Sequence, residues 1–389
     1  MFISRIQLYN WKNFHDCNVN LSERSFIIGA NATGKSNFLD AMRFLRDIVR
    51  QGGGLQAAID NRGGVTKIRC LAARTRTDVR IEVDLSEQGS SVPKWRYVID
   101  FKHTGGGILK NSATIVEESV YDYEIKKLII NRGPKTKEED DETLKYTHLE
   151  QASRNVRFRE IRDTFLNLEY LNVIPQMVRE ESSVIMTSEK EDYYGRNFLQ
   201  RMSNLNERTR NKYLRLINQV LTIAVPQLKD LAFVKDKMGV PHIEVRYSHW
   251  RAKGSKQNEK LFSDGTLRLI GFLFAMLDGV GIILLEEPES NLHSGIVAQI
   301  PEFVARMQRN KKRQVVITTH SFEILSNKGI STNELIVLKN SPEGTIAQNG
   351  MDVQEVKDLM EAGLTAADAT LPMTAPETVE QINQMTINE

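Results

Sequence analysis

The stretch Gly29-Ala30-Asn31-Ala32-Thr33-Gly34-Lys35-Ser36 fits the pattern G-x-x-x-x-G-K-[ST], a loop built to hold nucleotide phosphates. Its glycines let backbone N–H groups turn inward, and the helix that follows adds its positive end. Lys35 is placed to reach the β- and γ-phosphates, and the Ser36 hydroxyl to enter the shell of a Mg²⁺ ion, with Asn37 next in the same turn. The flanks agree with this reading. Ser25-Phe26-Ile27-Ile28 reads as a short buried strand before the loop, and Phe38, Met42 and Leu45 mark one face of a helix after it. Strand, loop and helix come in the order that a phosphate site requires.

Around this loop, a chain of 389 residues can bury a large core and suggests two or three domains. Lys and Arg number 52 against 50 Asp and Glu, so net charge points to no particular partner. Two cysteines, Cys17 and Cys70, make neither a disulfide framework nor a zinc site, which fits a reducing cytosol. Met1-Phe2-Ile3-Ser4-Arg5 leads straight into a strand pattern without signal-peptide architecture. The longest apolar run, Leu267 to Leu277, is short for a bilayer and contains Arg268. The expectation is a cytoplasmic protein with no membrane partner.

Residues 1–48 read strand, turn, strand, phosphate loop, helix, followed by a Gly-rich loop from Gln51 to Gly64 with a short helical piece. Val79, Ile81, Val83 and Leu85 share one face, as do Trp95, Tyr97, Ile99 and Phe101. That period of two predicts an antiparallel sheet covered on one side. From about Gly105 to Asn258 the composition changes. The charged run Pro134 to Glu142 reads as a solvated or disordered loop tip. Helical periodicity returns near Leu149–Leu168 and at Phe198–Val220, where Leu214, Ile217 and Leu221 align. Arg154, Arg157, Arg159, Arg162, Arg208, Arg210, Lys212 and Arg215 lie on these segments as a candidate nucleic-acid surface, or as ordinary solvated helix faces, since acids are interleaved. Leu335 to Leu338 begins a strand, Asn340 to Gly344 is a hairpin turn, and one amphipathic helix with Val356, Leu359 and Met360 ends near Gly363. After Pro372 the tail is polar, a flexible or docking segment.

The apolar run Ile282-Ile283-Leu284-Leu285 delivers Glu286-Glu287-Pro288-Glu289 at its end, the way parallel sheets present carboxylates beside a phosphate. Glu286 would help to hold Mg²⁺ through water, and Glu287 would polarise the attacking water. A second apolar strand, Gln314 to Thr319, ends in His320-Ser321, and a histidine in that place reads as a γ-phosphate sensor. Leu261-Phe262-Ser263-Asp264-Gly265-Thr266 stands immediately before an apolar helix.

Together these motifs resemble the ATP-binding-cassette (ABC) ATPases, in the non-transporter branch of SMC heads, RecF and the OLD-like ATPases. Ser263-Asp264-Gly265-Thr266 matches the signature of that branch, Glu286-Glu287 its Walker B acids, Ser290-Asn291-Leu292-His293 its D-loop and His320 its switch histidine. The opening Asn10-Trp11-Lys12-Asn13-Phe14 looks like the first strand and turn of such heads. The resemblance implies an α/β fold: an ABC-ATPase head with a P-loop parallel-sheet core, an antiparallel β subdomain and a helical insertion. It divides the chain into an N-terminal lobe (1–104), a mainly helical insertion (105–229), a C-terminal lobe (230–350) and a C-terminal helix and tail (351–389). It implies ATP and Mg²⁺ as cofactors, with Lys12 and Asn13 near the nucleotide and Glu287, His320 and Lys35 as the catalytic set. Two departures stand out. Glu286 occupies the place where transporters carry Asp, and Asp264 replaces the usual second-position Gly of the signature. For the Q-loop glutamine, a further metal contact, Gln176 is the first candidate and Gln56 the second.

The resemblance also carries a mechanism in which two copies pack head-to-tail. Ser263 and Gly265 of one would contact the γ-phosphate held by Lys35 of the other. Two functions then compete. One is ATP-dependent DNA maintenance or anti-phage defence, with double-stranded DNA as a candidate partner and a nuclease or toxin from the same locus as effector. The alternative is a nucleotide-gated scaffold or sensor that sequesters an effector with slow turnover and no DNA processing.

Overall fold

The computed structural model describes residues 1–74, 76–90, 92–104, 112–137, 139–180, 198–248 and 255–374. In chain order the first third holds strands β1 (Phe2–Trp11), β2 (Phe14–Asn20) and β3 (Arg24–Ile28). Helices α1 (Lys35–Val49), α2 (Leu55–Asp60) and α3 (Val65–Ile68) come next, then β4 (Val79–Ser86), β5 (Pro93–His103), β6 (Ala113–Asp122) and β7 (Lys127–Arg132). The middle holds α4 (Arg159–Leu166), β8 (Leu168–Leu171), α5 (Pro175–Glu180), α6 (Phe198–Asn204), α7 (Glu207–Ala224), β9 (Leu228–Lys235), β10 (Pro241–Tyr247) and β11 (Ser255–Asn258). The last part runs α8 (Asp264–Leu277), β12 (Ile282–Glu286), α9 (Ser294–Val297), α10 (Ile300–Lys311), β13 (Gln314–Thr319) and α11 (Phe322–Leu325). It closes with β14 (Leu335–Ser341), β15 (Gly344–Asn349), α12 (Gln354–Glu361) and α13 (Ala366–Thr374).

Two units divide the chain. The first comprises Met1–Glu169, Gly281–Leu284 and Lys312–Glu389, and the second Tyr170–Val280 and Leu285–Lys311. The strands form three sheets. An antiparallel sheet runs β2-β1-β4-β5-β6-β7, a mixed one β15-β14-β3-β13-β12-β8, and a small one β11-β10-β9.

In the first unit the two alternating segments pair as the period of two requires. Val79 faces Phe101, Ile81 faces Ile99, Val83 faces Tyr97 and Leu85 faces Trp95 across β4 and β5, and all eight are buried. The apolar strand before the phosphate loop, β3, is the pivot of the mixed sheet. It lies parallel to β13 on one side and to β14 on the other, so it is hydrogen-bonded along both edges, and Phe26, Ile27 and Ile28 are wholly buried. Helix α1 buries Phe38, Met42 and Leu45 as its periodicity predicts, and Phe44 besides, which stacks between Trp11 and Phe101. The turn between β1 and β2 is fixed from both ends. Trp11 and Phe14 are wholly buried, Trp11 donates through Nε1 to the Asn37 carbonyl at 2.8 Å, and Lys12 bridges them with φ 51°.

The segment 105–229, expected to be mainly helical, also contributes β6, β7 and β8, with β9 to β11 following. The strand pattern of β6 is hidden because a charge, Glu118, occupies a wholly buried position. It is satisfied there by Arg132 at 3.0 Å, the backbone N–H of His148 and Leu149 at 2.8 and 3.1 Å, and the Tyr97 hydroxyl at 3.2 Å. The same Arg132 holds Glu139 at 2.6 Å, so the charged run is anchored at this acid rather than being a free solvated tip. Glu138 of that run lies outside the described residues. Helices α6 and α7 occur where the period predicts, with Leu214, Ile217 and Leu221 buried. Helix α13 was not foreseen; it buries Ala366, Ala367, Ala369 and Thr370 despite Pro372 in its last turns. The polar tail beyond 374 lies outside the described residues, as does 105–111 at the start of the expected insertion. Among the described residues no helix is long and apolar enough to cross a membrane.

Candidate nucleotide-binding site

In the first unit the phosphate loop leaves the carboxyl end of β3 and turns into α1 at Lys35. Gly34 has φ 93°, and a side chain there would run into the Asn13 amide, so only glycine fits. Helix α1 begins with no side-chain cap and no acid in its first turn. Its positive end therefore carries no counter-charge of its own, which suits an incoming phosphate. The Lys35 ammonium lies back over the loop, donating to the carbonyls of Gly29 at 2.9 Å and Ala30 at 3.2 Å. Thr33 is buried, with its hydroxyl donating to the Ala30 carbonyl at 2.8 Å, while Asn31, Ala32 and Ser36 are exposed. In the parallel register Thr319 stands beside Ile28, so His320 and Gly29 leave neighbouring strands at the same edge. His320 is exposed there, and Ser321 after it caps α11 through the Ile324 N–H.

The resemblance places Asn13 and Lys12 near the nucleotide. Asn13 forms part of a brace under the loop. Its amide donates to the Thr33 carbonyl at 3.0 Å and to the Thr345 hydroxyl at 2.5 Å, and its carbonyl oxygen accepts from Asn37 at 2.7 Å. Thr345, from β15, also donates to the Thr33 carbonyl at 2.8 Å, and its N–H reaches the Asn13 carbonyl at 2.7 Å. The Lys12 ammonium is paired with Asp40 of α1 at 2.7 Å, beside Arg62 at 2.9 Å. Burial works to raise the Asp40 carboxyl, but Arg62 and Lys12 more than offset it and hold its pKa below the usual carboxylate range. Gln56 is occupied by backbone, donating to the carbonyls of Ala113 and Lys145 and accepting from the Ala113 N–H. Its amide is a tie between α2 and the strand region.

In the second unit β12 ends at Glu286, whose carboxylate accepts from the buried Tyr170 hydroxyl of β8. Glu287 follows with φ 41°, a left-handed conformation uncommon for a residue with a side chain, and its carbonyl accepts from the Ser290 N–H at 3.1 Å. The loop then turns tightly, Leu292 N–H to the Glu289 carbonyl at 3.0 Å, through Asn291 at φ 63°, to His293, which caps α9. Ser263 caps α8 by accepting from the Thr266 N–H at 3.2 Å, so the helix starts at Asp264, inside the motif that was expected to precede it. Ser263 itself is exposed. At Gly265 an added Cβ would lie 2.5 Å from the Asn291 carbonyl oxygen, so signature and D-loop touch backbone to backbone. Gln176 of α5 does not stand alone as a metal donor: its amide donates to Asp264 at 3.3 Å, next to Arg179, which ion-pairs with the same carboxylate at 2.5 Å. Arg268, one turn along α8, has a buried Nε without a partner. Burial draws its pKa below the ordinary guanidinium value despite the carboxylates of Asp264, Glu287 and Glu289 nearby.

Thr345, Tyr170, Arg179 and Arg268 were missed from the sequence. Arg179 follows Gln176 by three, on one helix face, and Arg268 follows Asp264 by four, which are the spacings that could have flagged them. The Ser36 hydroxyl in the first unit is a hard oxygen of the kind Mg²⁺ takes, and so is the Glu286 carboxylate in the second. Among the described residues no cluster of three His, Cys, Asp or Glu side chains could hold a metal alone. Bound ATP·Mg²⁺ would supply the phosphoanhydride to be cleaved, and in the first unit the loop N–H groups and Lys35 would hold its phosphates. The candidate nucleic-acid arginines are partly spent inside the protein. Arg159 binds Asn155 and the Ala152 carbonyl, Arg162 pairs with Asp163, and Arg210 binds the Ser203 and Leu205 carbonyls while lying over Phe233.

Comparison with known proteins gives three findings. Residues 24–326 match the family model described as "AAA domain, putative AbiEii toxin, Type IV TA system". A stretch of 47 residues is 47% identical to Endonuclease GajA of Bacillus cereus (strain VD045); it spans 12% of this chain and only 8% of that enzyme. Among solved structures, an Smc head bound to the C-terminal winged-helix domain of ScpA is similar at TM-score 0.54 and 13% identity, covering 90% of this chain and 97% of that one. An Smc head with an extended coiled coil, bound to the C-terminal domain of ScpA from Pyrococcus furiosus, is similar at TM-score 0.52 and 11% identity, covering 92% and 99%. Those likenesses establish the ABC-ATPase head fold, and the family match spans most of the sequence. The chain therefore belongs to this AAA family and is an ATPase with the fold of an SMC head.

Proposed function

We propose that the protein binds ATP·Mg²⁺ on the loop 29–36, that two copies then close head-to-tail, and that hydrolysis releases them. In this reading Glu287 polarises water, His320 senses the γ-phosphate, and Ser36 and Glu286 serve the metal. Ser263 and Gly265 act on the nucleotide of the other copy. The carrying observation is that Ser263, at the start of α8, is exposed, on a helix end whose field favours an external anion. ATP then acts as the adhesive and the cycle as a switch.

The family description, with its toxin and toxin–antitoxin system, and the short likeness to an endonuclease support a place in anti-phage defence or DNA maintenance, controlling a nuclease or toxin. The internal engagement of Arg159, Arg162 and Arg210 favours a second reading, in which the ATPase gates an effector without gripping DNA itself. Size analysis of Glu287→Gln with Mg²⁺ and ATP, with and without duplex DNA, tests both. A dimer that needs ATP and is lost in Ser263→Arg, while protomer ATP binding persists, is the expected result. A monomer under all conditions overturns the proposal, and stimulation of wild-type turnover by DNA decides for the first reading over the second.

A further inference from the structure

The signature of this chain carries a charge problem. Asp264 occupies the first turn of α8, directly after Ser263, and a carboxylate there competes for the helix field that an incoming phosphate needs. An uncompensated negative charge at this range weakens phosphate docking by about tenfold to a hundredfold. The structure contains the compensation. Arg179 of α5 pairs with Asp264 Oδ1 at 2.5 Å and donates to the Phe262 carbonyl at 2.7 Å, while Gln176 takes Asp264 Oδ2 at 3.3 Å. One guanidinium therefore neutralises the acid and pins the backbone just before Ser263. Both side chains are partly exposed, Arg179 at 25% and Asp264 at 33%, so the pair sits where an approaching anion would feel it.

We infer that Arg179 is a positioning residue of the signature, which turns the Asp264 carboxylate aside onto α5 and so lets Ser263 and Gly265 accept the γ-phosphate of a second copy. The inference rests on the proposed trans contact and adds to it the group that makes an acidic signature workable. It explains why Gln176 and Arg179 sit together: the amide and the guanidinium each hold one oxygen of the same carboxylate. A glycine at this position would need no such partner.

The test uses the full-length chain in the Glu287→Gln background with Mg²⁺ and ATP, reading association by sedimentation and protomer binding with a fluorescent ATP analogue. Arg179→Met is expected to raise the protein concentration for half-maximal association by about tenfold or more, with analogue affinity kept within about twofold. Arg179→Lys should retain most of the association. Arg179→Met with Asp264→Asn should return to within about threefold of Asp264→Asn alone, because the charge that needed an answer has gone. Association of Arg179→Met equal to the parent overturns the inference, and so does a double variant as weak as Arg179→Met. Should Arg179→Met fail to bind the analogue, the lysine and double variants carry the same comparison. A parent that never associates with ATP sinks the trans contact itself, and that outcome is read from the parent alone.

Discussion

The brace under the phosphate loop makes a prediction that separates two roles for Asn13. If Asn13 touched nucleotide directly, its effect would be its own. If it braces the loop, Thr345 must behave like it, although 332 positions lie between them. Asn13→Ala removes two donated hydrogen bonds and one accepted bond. At about 0.5–1.5 kcal/mol each, that is about 1.5–4.5 kcal/mol of local order. The lower end applies because the Thr345 hydroxyl still reaches the Thr33 carbonyl, so ATP affinity should fall by about tenfold. Thr345→Val removes two bonds, about 1–3 kcal/mol, and should weaken ATP by about five- to tenfold. The double variant should lose less than the sum, since one bond is common to both. Equilibrium titration with a fluorescent ATP analogue measures all three. Thr345→Val binding within twofold of wild type, alongside a clear loss in Asn13→Ala, would refute the brace.

Two further outcomes concern stability. Arg132→Met leaves Glu118 charged and buried in β6 and should cost about 3–5 kcal/mol, read by urea denaturation; a loss under 1 kcal/mol means that Glu118 is satisfied without it. The His148 imidazole is lowered from 6.5 to about 4, by burial first and by the Arg132 charge second. Between those values the unfolded chain binds more protons than the folded one, so this contribution is complete above pH 6.5 and is lost as pH falls toward 4. His148→Gln should flatten that part of the Tm–pH curve, and an unchanged slope would assign it to other groups.

The sequence made the head legible because its motifs are local. Strand, loop and helix around Lys35 are contiguous, and the period of two in β4 and β5 repeats without interruption. The part that was not legible depends on partners far apart in the chain. Glu118 breaks the alternation of β6, and it takes Arg132, the Tyr97 hydroxyl and two N–H groups beyond residue 147 to make a buried acid tolerable. Asn13 read as a nucleotide neighbour because the motif string ends at Phe14, whereas its role is set by Asn37 and Thr345. Gln176 was noticed for its amide, but nothing local announced that Asp264 would be its acceptor. Composition hid α13 for a simpler reason: a short, alanine-rich segment with an internal proline has little helical signature until a surface covers it.

The tie from Thr345 to the loop at Thr33 has a consequence for synthesis. A ribosome makes the phosphate loop among its first products, yet the hydroxyl that steadies it emerges more than three hundred residues later. Until then the nascent chain carries a slacker cradle, with Asn13 short of one of its three partners. The last increment of ATP affinity thus arrives late, and a chain released early, with every motif through His320 intact, would hold nucleotide more weakly than the finished one.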